Sequence, residues 1–243
     1  MTGNLKYGTS SLCGGTSSAT RLKNKSRVYG MTTFEFAMVI LIISLTFGSI
    51  QFAQTLREKA LAQKLASEMQ HLVDAVYMYR EKYKAVPGDD KDADLHLPGG
   101  IPSAFSGLST NGGGNGLIHG SWTTYGDIAW ESDKFWNHVR LAGLVPGNPF
   151  SSPPLNAVGG MIGVSSDRSA MPARPADIPG LYSVCSSTIP GQIARMVDQE
   201  LDDGNAKTGT VWAGMEKGAP IRTNVAPTPY LDNETFTVCM AFQ

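Results

Sequence analysis

Between Phe36 and Leu56 the chain carries no charged side chain, and this run constrains what the rest can be. Twenty-one residues in a helix span roughly 30 Å, the thickness of a bilayer's hydrocarbon layer. Such a run needs lipid or a protein interior around it. Residues 1–30 ahead of it hold Lys6, Arg21, Lys23, Lys25 and Arg27 with no Asp or Glu; behind it come the mixed-sign Arg57, Glu58 and Lys59. The positive-inside rule therefore places residues 1–30 in the cytoplasm and everything after Leu56 outside. Residues 1–30 are rich in Ser, Thr and Gly without a hydrophobic period, which reads as an unfolded basic leader. Without its five positive charges the formal net charge of -1 becomes -6. That value disfavours a broad phosphate-binding track, so no nucleic acid is expected as a partner.

Three readings of the apolar run compete. A cleaved secretory signal fits poorly, because the run is long for a signal core and no A-x-A site follows it. An uncleaved signal anchor is the plain alternative. The third reading turns on Glu35, which directly precedes the run in Gly30-Met31-Thr32-Thr33-Phe34-Glu35-Phe36. A carboxylate at that depth is partly desolvated and calls for a positive partner. Cleavage after Gly30 would free an amine on Met31 to supply the charge, within the chain or from a neighbour offset by about one turn.

A basic leader ending in Gly, a Glu five residues after it and an apolar helix together resemble the type IV pilin and type II secretion pseudopilin superfamily. The resemblance implies cutting after Gly30 and methylation of Met31 by a prepilin peptidase, with Glu35 serving filament assembly. It also implies other pilin or pseudopilin subunits as partners. The expected location is a bacterial inner membrane, single-pass with the head periplasmic, and then a pilus or pseudopilus. Some features depart from the family pattern: Met31 replaces the commoner Phe, Thr33 and Phe34 replace an apolar pair, and no proline lies near Phe52.

The helix is expected to outlast the membrane. Leu61, Leu65, Met69, Leu72, Val76, Tyr79 and Tyr83 recur at steps of three or four and draw one apolar stripe, and Pro87-Gly88 is the expected stop. The organisation that follows is a leader at 1–30, a long helix at 31–86 with its membrane segment at about 36–56, and a head domain at 87–243. The fold class is α+β, with the long helix packed on a globular head that holds a small antiparallel sheet.

Within the head, Pro87 to Gly120 reads as a flexible surface loop, its run Asn111-Gly112-Gly113-Gly114-Asn115-Gly116 lacking the Lys and Ser/Thr of a phosphate loop. A short helix follows, with Ser132 as N-cap, Phe135, Trp136 and Val139 facing inward, and Gly143 as its end. His138 beside that face reads as structural. Tyr83 to Asp90 and Phe135 to Leu144 also look like stretches that recur in one branch of pilin-like proteins. Further elements are a strand at Leu181 to Cys185, a helix at Pro190 to Leu201, and strands at Thr208 to Met215 and Thr235 to Phe242.

Cys13 falls in the leader, whereas Cys185 and Cys239 lie on the oxidising side. A bond between them closes a loop that the chain-entropy account values at roughly 4 kcal/mol; two free buried thiols are the alternative. Asp198, Glu200, Asp202, Asp203 and Asn205 crowd the end of a helix whose dipole is negative there. Either Arg195 or Lys207 compensates them in a solvated turn, or Asp198, Asp202 and Asp203 offer hard oxygens to a cation. Resemblance to a Leu-Asp-Asp-Gly turn of the pilin-like branch makes calcium the possible cofactor, although the string is no EF-hand.

Enzyme signatures are missing: there is no Gly-x-Ser-x-Gly, His-Glu-x-x-His, Cys-x-x-Cys or Walker motif, and the four histidines are scattered. The reading is therefore a minor pilin or pseudopilin without catalytic residues. The rivals are a signal-anchored extracytoplasmic hydrolase and a tip subunit that binds DNA or another ligand through Arg168 and Arg174, with Trp122 and Trp130 for stacking.

Overall fold

The computed structural model of the chain describes residues 30–97, 111–126, 129–221 and 223–243. Expectations for the leader before Gly30, Cys13 included, lie outside them. The protein is α+β, with a long apolar N-terminal helix and a four-stranded antiparallel sheet. It divides into two units, one ending at Gly48 and the other running from Ser49 to Gln243.

Helix α1 (Thr33–Tyr83) has 51 residues. Every side chain from Met31 to Phe47 is exposed, including Phe36, Ile40, Ile43 and Phe47. Its C-terminal half belongs to the second unit, whose core reaches back to Ala62. The expected stripe is buried at Leu65, Met69, Leu72, Val76 and Tyr79, and Leu61 and Tyr83 flank it half-buried. Ala62, Ala66 and Ala75 widen the stripe with small residues that allow close approach. The helix ends at Tyr83, before the expected Pro87-Gly88 stop. Lys84 takes a left-handed conformation (φ 55°) and donates its N–H to the Arg80 carbonyl, terminating the helix without a glycine.

The sheet comprises β1 (Ile162–Ser165), β2 (Tyr182–Pro190), β3 (Val211–Met215) and β4 (Thr235–Phe242) in the order β1-β2-β4-β3, all neighbours antiparallel. Alternation along β4 divides its faces: Phe236, Val238 and Phe242 join the core shared with α1, whereas Cys239 and Ala241 join a second cluster with Trp122, Met171, Ile178 and Trp212. β4 has the expected bounds, and β3 starts three residues later than expected. β2 runs on past Cys185 to Pro190 through an irregularity between Ser186 and Ile189. There Thr188 has φ 63° and donates its N–H to Glu216.

Two further helices cover the main core. In α3 (Glu131–Leu141) Phe135, Trp136 and Val139 are buried and Gly143 follows the end with φ 74°, as expected. Its N-cap is Trp130 rather than Ser132, which lies one residue inside the helix. The short α2 (Ala93–His96) follows α1, and α4 (Gly191–Leu201) buries Ile193 and Val197 behind Pro190 as N-cap.

Candidate functional site

The N-terminal segment is built around Thr32 and Glu35. Thr32 donates its N–H to Glu35 Oε2 at 2.9 Å and its hydroxyl to the same oxygen at 3.1 Å. Glu35 returns its own N–H to Thr32 Oγ1 at 3.2 Å, and Phe36 N–H closes the first turn on the Thr32 carbonyl. This reciprocal pair is a capping box, which satisfies donors that the start of α1 would otherwise leave open. Among the described residues the Glu35 carboxylate is thus held by Thr32 rather than by a charge. The Thr-x-x-Glu spacing that signals a capping box was present in the sequence, and Thr32 is the residue missed there. Gly30 and Met31 precede the box in the open, Met31 being 62% exposed.

The acidic turn after α4 gathers as its spacing suggested. Asp198, Asp202 and Asp203 bring one oxygen each within 4.8 Å of one another. Asp198 is fully buried; its oxygens accept the Tyr230 hydroxyl at 2.6 Å and the Gly204 N–H at 3.0 Å. Burial pushes its carboxyl up to about 6, and the neighbouring Asp203 and Asp202 charges act in the same direction. Asp202 Oδ2 accepts the N–H groups of Thr210 and Val211, and Asp203 accepts the Thr208 hydroxyl and the Asn205 N–H. Those two donors, Thr208 first, hold the Asp203 carboxyl below its ordinary range.

The expected compensation by Arg195 is not what the structure shows. Arg195 turns away to Asp232 at 2.8 Å, and Tyr230 and backbone N–H groups serve Asp198 instead. As a calcium shell the turn fits poorly. Calcium takes six to eight oxygens, whereas five of the six carboxylate oxygens here already accept protein donors. The arrangement is that of a turn closed on itself.

A second set of carboxylates organises the glycine run at residues 111–116, which lies in the loop expected from Pro87 to Gly120; residues 98–110 of that loop lie outside the described residues. Asp89 and Asp90 are both buried. Asp89 accepts the N–H groups of Asn115 and Gly116, and Glu131 accepts those of Gly113 and His119. At Gly112 a Cβ would lie 2.3 Å from the Asp89 backbone, so this position requires glycine. Asp90 accepts from the Tyr79 hydroxyl at 2.8 Å, from His96 Nδ1 at 2.7 Å and from the Asp92 N–H. Burial alone would raise the Asp90 carboxyl, but His96, Tyr79 and Asp92 together hold it below its ordinary range. The Pro87-Gly88-Asp89-Asp90 string thus ties the end of α1 to two loops.

Cys185 and Cys239 are bonded across β2 and β4, where they stand directly opposite in register. His138 is buried and accepts the Gly88 N–H at Nδ1, in keeping with a structural role. Trp122 is not free for stacking on a ligand: it is buried and donates Nε1 to the Ala170 and Ile221 carbonyls. Arg174 lies over the Trp212 ring and donates to the Gly180 carbonyl, while Trp130 is 47% exposed.

One serine stands beside a histidine in a concave setting. His71 lines an open groove of about 450 Å³, and its Nε2 lies 3.3 Å from Ser67 Oγ one helical turn back. A nucleophile and base of that kind require a third group to orient the base. Among the described residues no side chain hydrogen-bonds the other ring nitrogen of His71. No protein-family model matches the chain, and neither curated proteins nor solved structures gave a match.

Proposed function

We propose that the chain is a non-catalytic structural subunit of a type IV pilus-like or type II secretion-like filament. It is made as a membrane-bound precursor, cut after Gly30 by a prepilin peptidase and methylated on Met31. The observation that carries this reading is the start of α1, where Gly30 and Met31 stand exposed immediately ahead of a helix apolar enough to cross a membrane and the Glu35 carboxylate stands exposed in its first turn. That exposed apolar surface is stable in water only when lipid or other helices cover it. In the precursor, lipid covers it. In the filament, the same surface packs against the α1 helices of neighbouring copies or related subunits, and the Glu35 carboxylate meets a Met31 amine inside a low-dielectric bundle.

The disulfide suits a head that works outside the cytoplasm. Processing is tested by mass spectrometry of the N-terminal peptide from envelope protein. The expected species begins with N-methylated Met31, and Gly30→Asp should leave a membrane-bound precursor. An intact leader on wild-type protein in a filament fraction would overturn the reading.

A further inference from the structure

We propose that the groove beside His71 receives the Arg57–Lys64 stretch of a second copy of this chain, an inference that rests on the filament reading above. The groove opens between α1 and the loop after α3, with Met78 of α1 (46% exposed) on one side and Leu155 (65% exposed) on the other. Its lining carries two carboxylates, Glu68 and Asp74, and no lysine or arginine. An apolar groove with an acidic rim suits an apolar segment with cationic flanks.

The chain itself contains such a segment. Arg57 and Lys64 stand exposed on α1 with Ala60 and Leu61 between them, and all four line one shallow depression together with Gln54 and Glu58, whose Oε2 is taken up by the Gln192 amide at 2.8 Å. Neither cation has an ion-pair partner among the described residues. Along a helix axis Arg57 and Lys64 are about 10 Å apart and Glu68 and Asp74 about 9 Å, so the two pairs match in spacing. A chain cannot fill its own groove in this way, because α1 runs unbroken from one stretch to the other. The occupant is therefore a second copy.

The register follows from residue counts. Placing Arg57 opposite Glu68 and Lys64 opposite Asp74 shifts two parallel helices by about 16 Å along their axes. Copies side by side in a bilayer hold their apolar runs at one depth and have no such shift. The contact belongs to copies stacked along a filament.

The test uses two full-length chains produced together, one with Lys64→Cys and one with Asp74→Cys, treated in intact cells with a bis-maleimide whose span matches a Lys–Asp pair before filaments are sheared off. A 64–74 cross-linked dimer is expected in the filament fraction and not when either variant is produced alone. Independently, Lys64→Glu or Asp74→Lys should each lower incorporation about tenfold, and a chain carrying both should return to near wild-type yield. Wild-type incorporation of the single reversals overturns the proposal. So does a filament fraction rich in the chain but lacking the 64–74 link, which leaves the filament reading standing. An intact leader on the wild-type chain overturns both.

Discussion

Asp198 gives the head a pH dependence opposite in sign to that of an ordinary salt-bridged carboxylate. It has no solvent exposure, and burial pushes it from 3.8 up to about 6. The folded state therefore holds a proton that the unfolded chain releases near its ordinary value. Below that ordinary value both states are protonated and the group costs nothing. As pH rises toward 6 the unfolded state ionises first, and stability falls until the folded group ionises as well. Each pH unit of difference is worth about 1.4 kcal/mol, so roughly 3 kcal/mol is lost between pH 4 and pH 7.5. Asp198→Asn keeps an acceptor for the Gly204 N–H and a polar partner for the Tyr230 hydroxyl while removing the charge. Urea titrations over that pH range suit a fragment starting at Arg57, which retains every buried residue from Ala62 onward. The Asn variant should gain on the wild type by roughly 3 kcal/mol across the range. Parallel stability profiles for the two proteins would refute the reasoning.

Asp90 should slope the other way, because its folded-state carboxyl is held below the ordinary value by His96, Tyr79 and the Asp92 N–H despite its burial. Its contribution is present above the unfolded value and lost as pH falls through the folded one. Asp90→Asn should therefore weaken the head at pH 7 by about 1–3 kcal/mol and flatten its acid limb, read from the same titrations. Replacing both Cys185 and Cys239 by Ala frees a loop of sequence separation 54 and should cost about 4 kcal/mol in urea unfolding. Non-reducing peptide maps of the wild-type protein should show the two cysteines linked.

Elements with a strong period were legible in the sequence. The stripe from Leu65 to Tyr79 and the alternation from Thr235 to Phe242 follow from which side chains can face a core, and the structure places them so. Boundaries that depend on backbone conformation were harder to read. Lys84 ends α1 in a left-handed conformation usually taken by glycine, and β2 passes its irregularity through Thr188 at positive φ. Neither residue type announces that role. The glycine run was legible as a loop, but not its partners, because its N–H groups donate to Asp89 and Glu131 from distant parts of the chain. The same holds for Asp198, whose partner Tyr230 lies 32 residues on. In the candidate site, Gly30 and Glu35 were singled out by their spacing, and Thr32 was equally legible from the capping-box signature.

That capping box also supplies the most direct test of the filament account. Gln serves at the third helical position of a capping box as Glu does. Glu35→Gln therefore preserves the start of α1 and removes only the charge. Incorporation of the full-length variant into sheared filaments should be measured against wild type at equal expression, with the N-terminus of each protein read by mass spectrometry. The expected result is a variant cut after Gly30, retained in the membrane and missing from filaments, because no carboxylate meets the Met31 amine of the adjoining subunit. Incorporation of Glu35→Gln at the wild-type level would contradict the assigned role and return the chain to the class of plain membrane anchors.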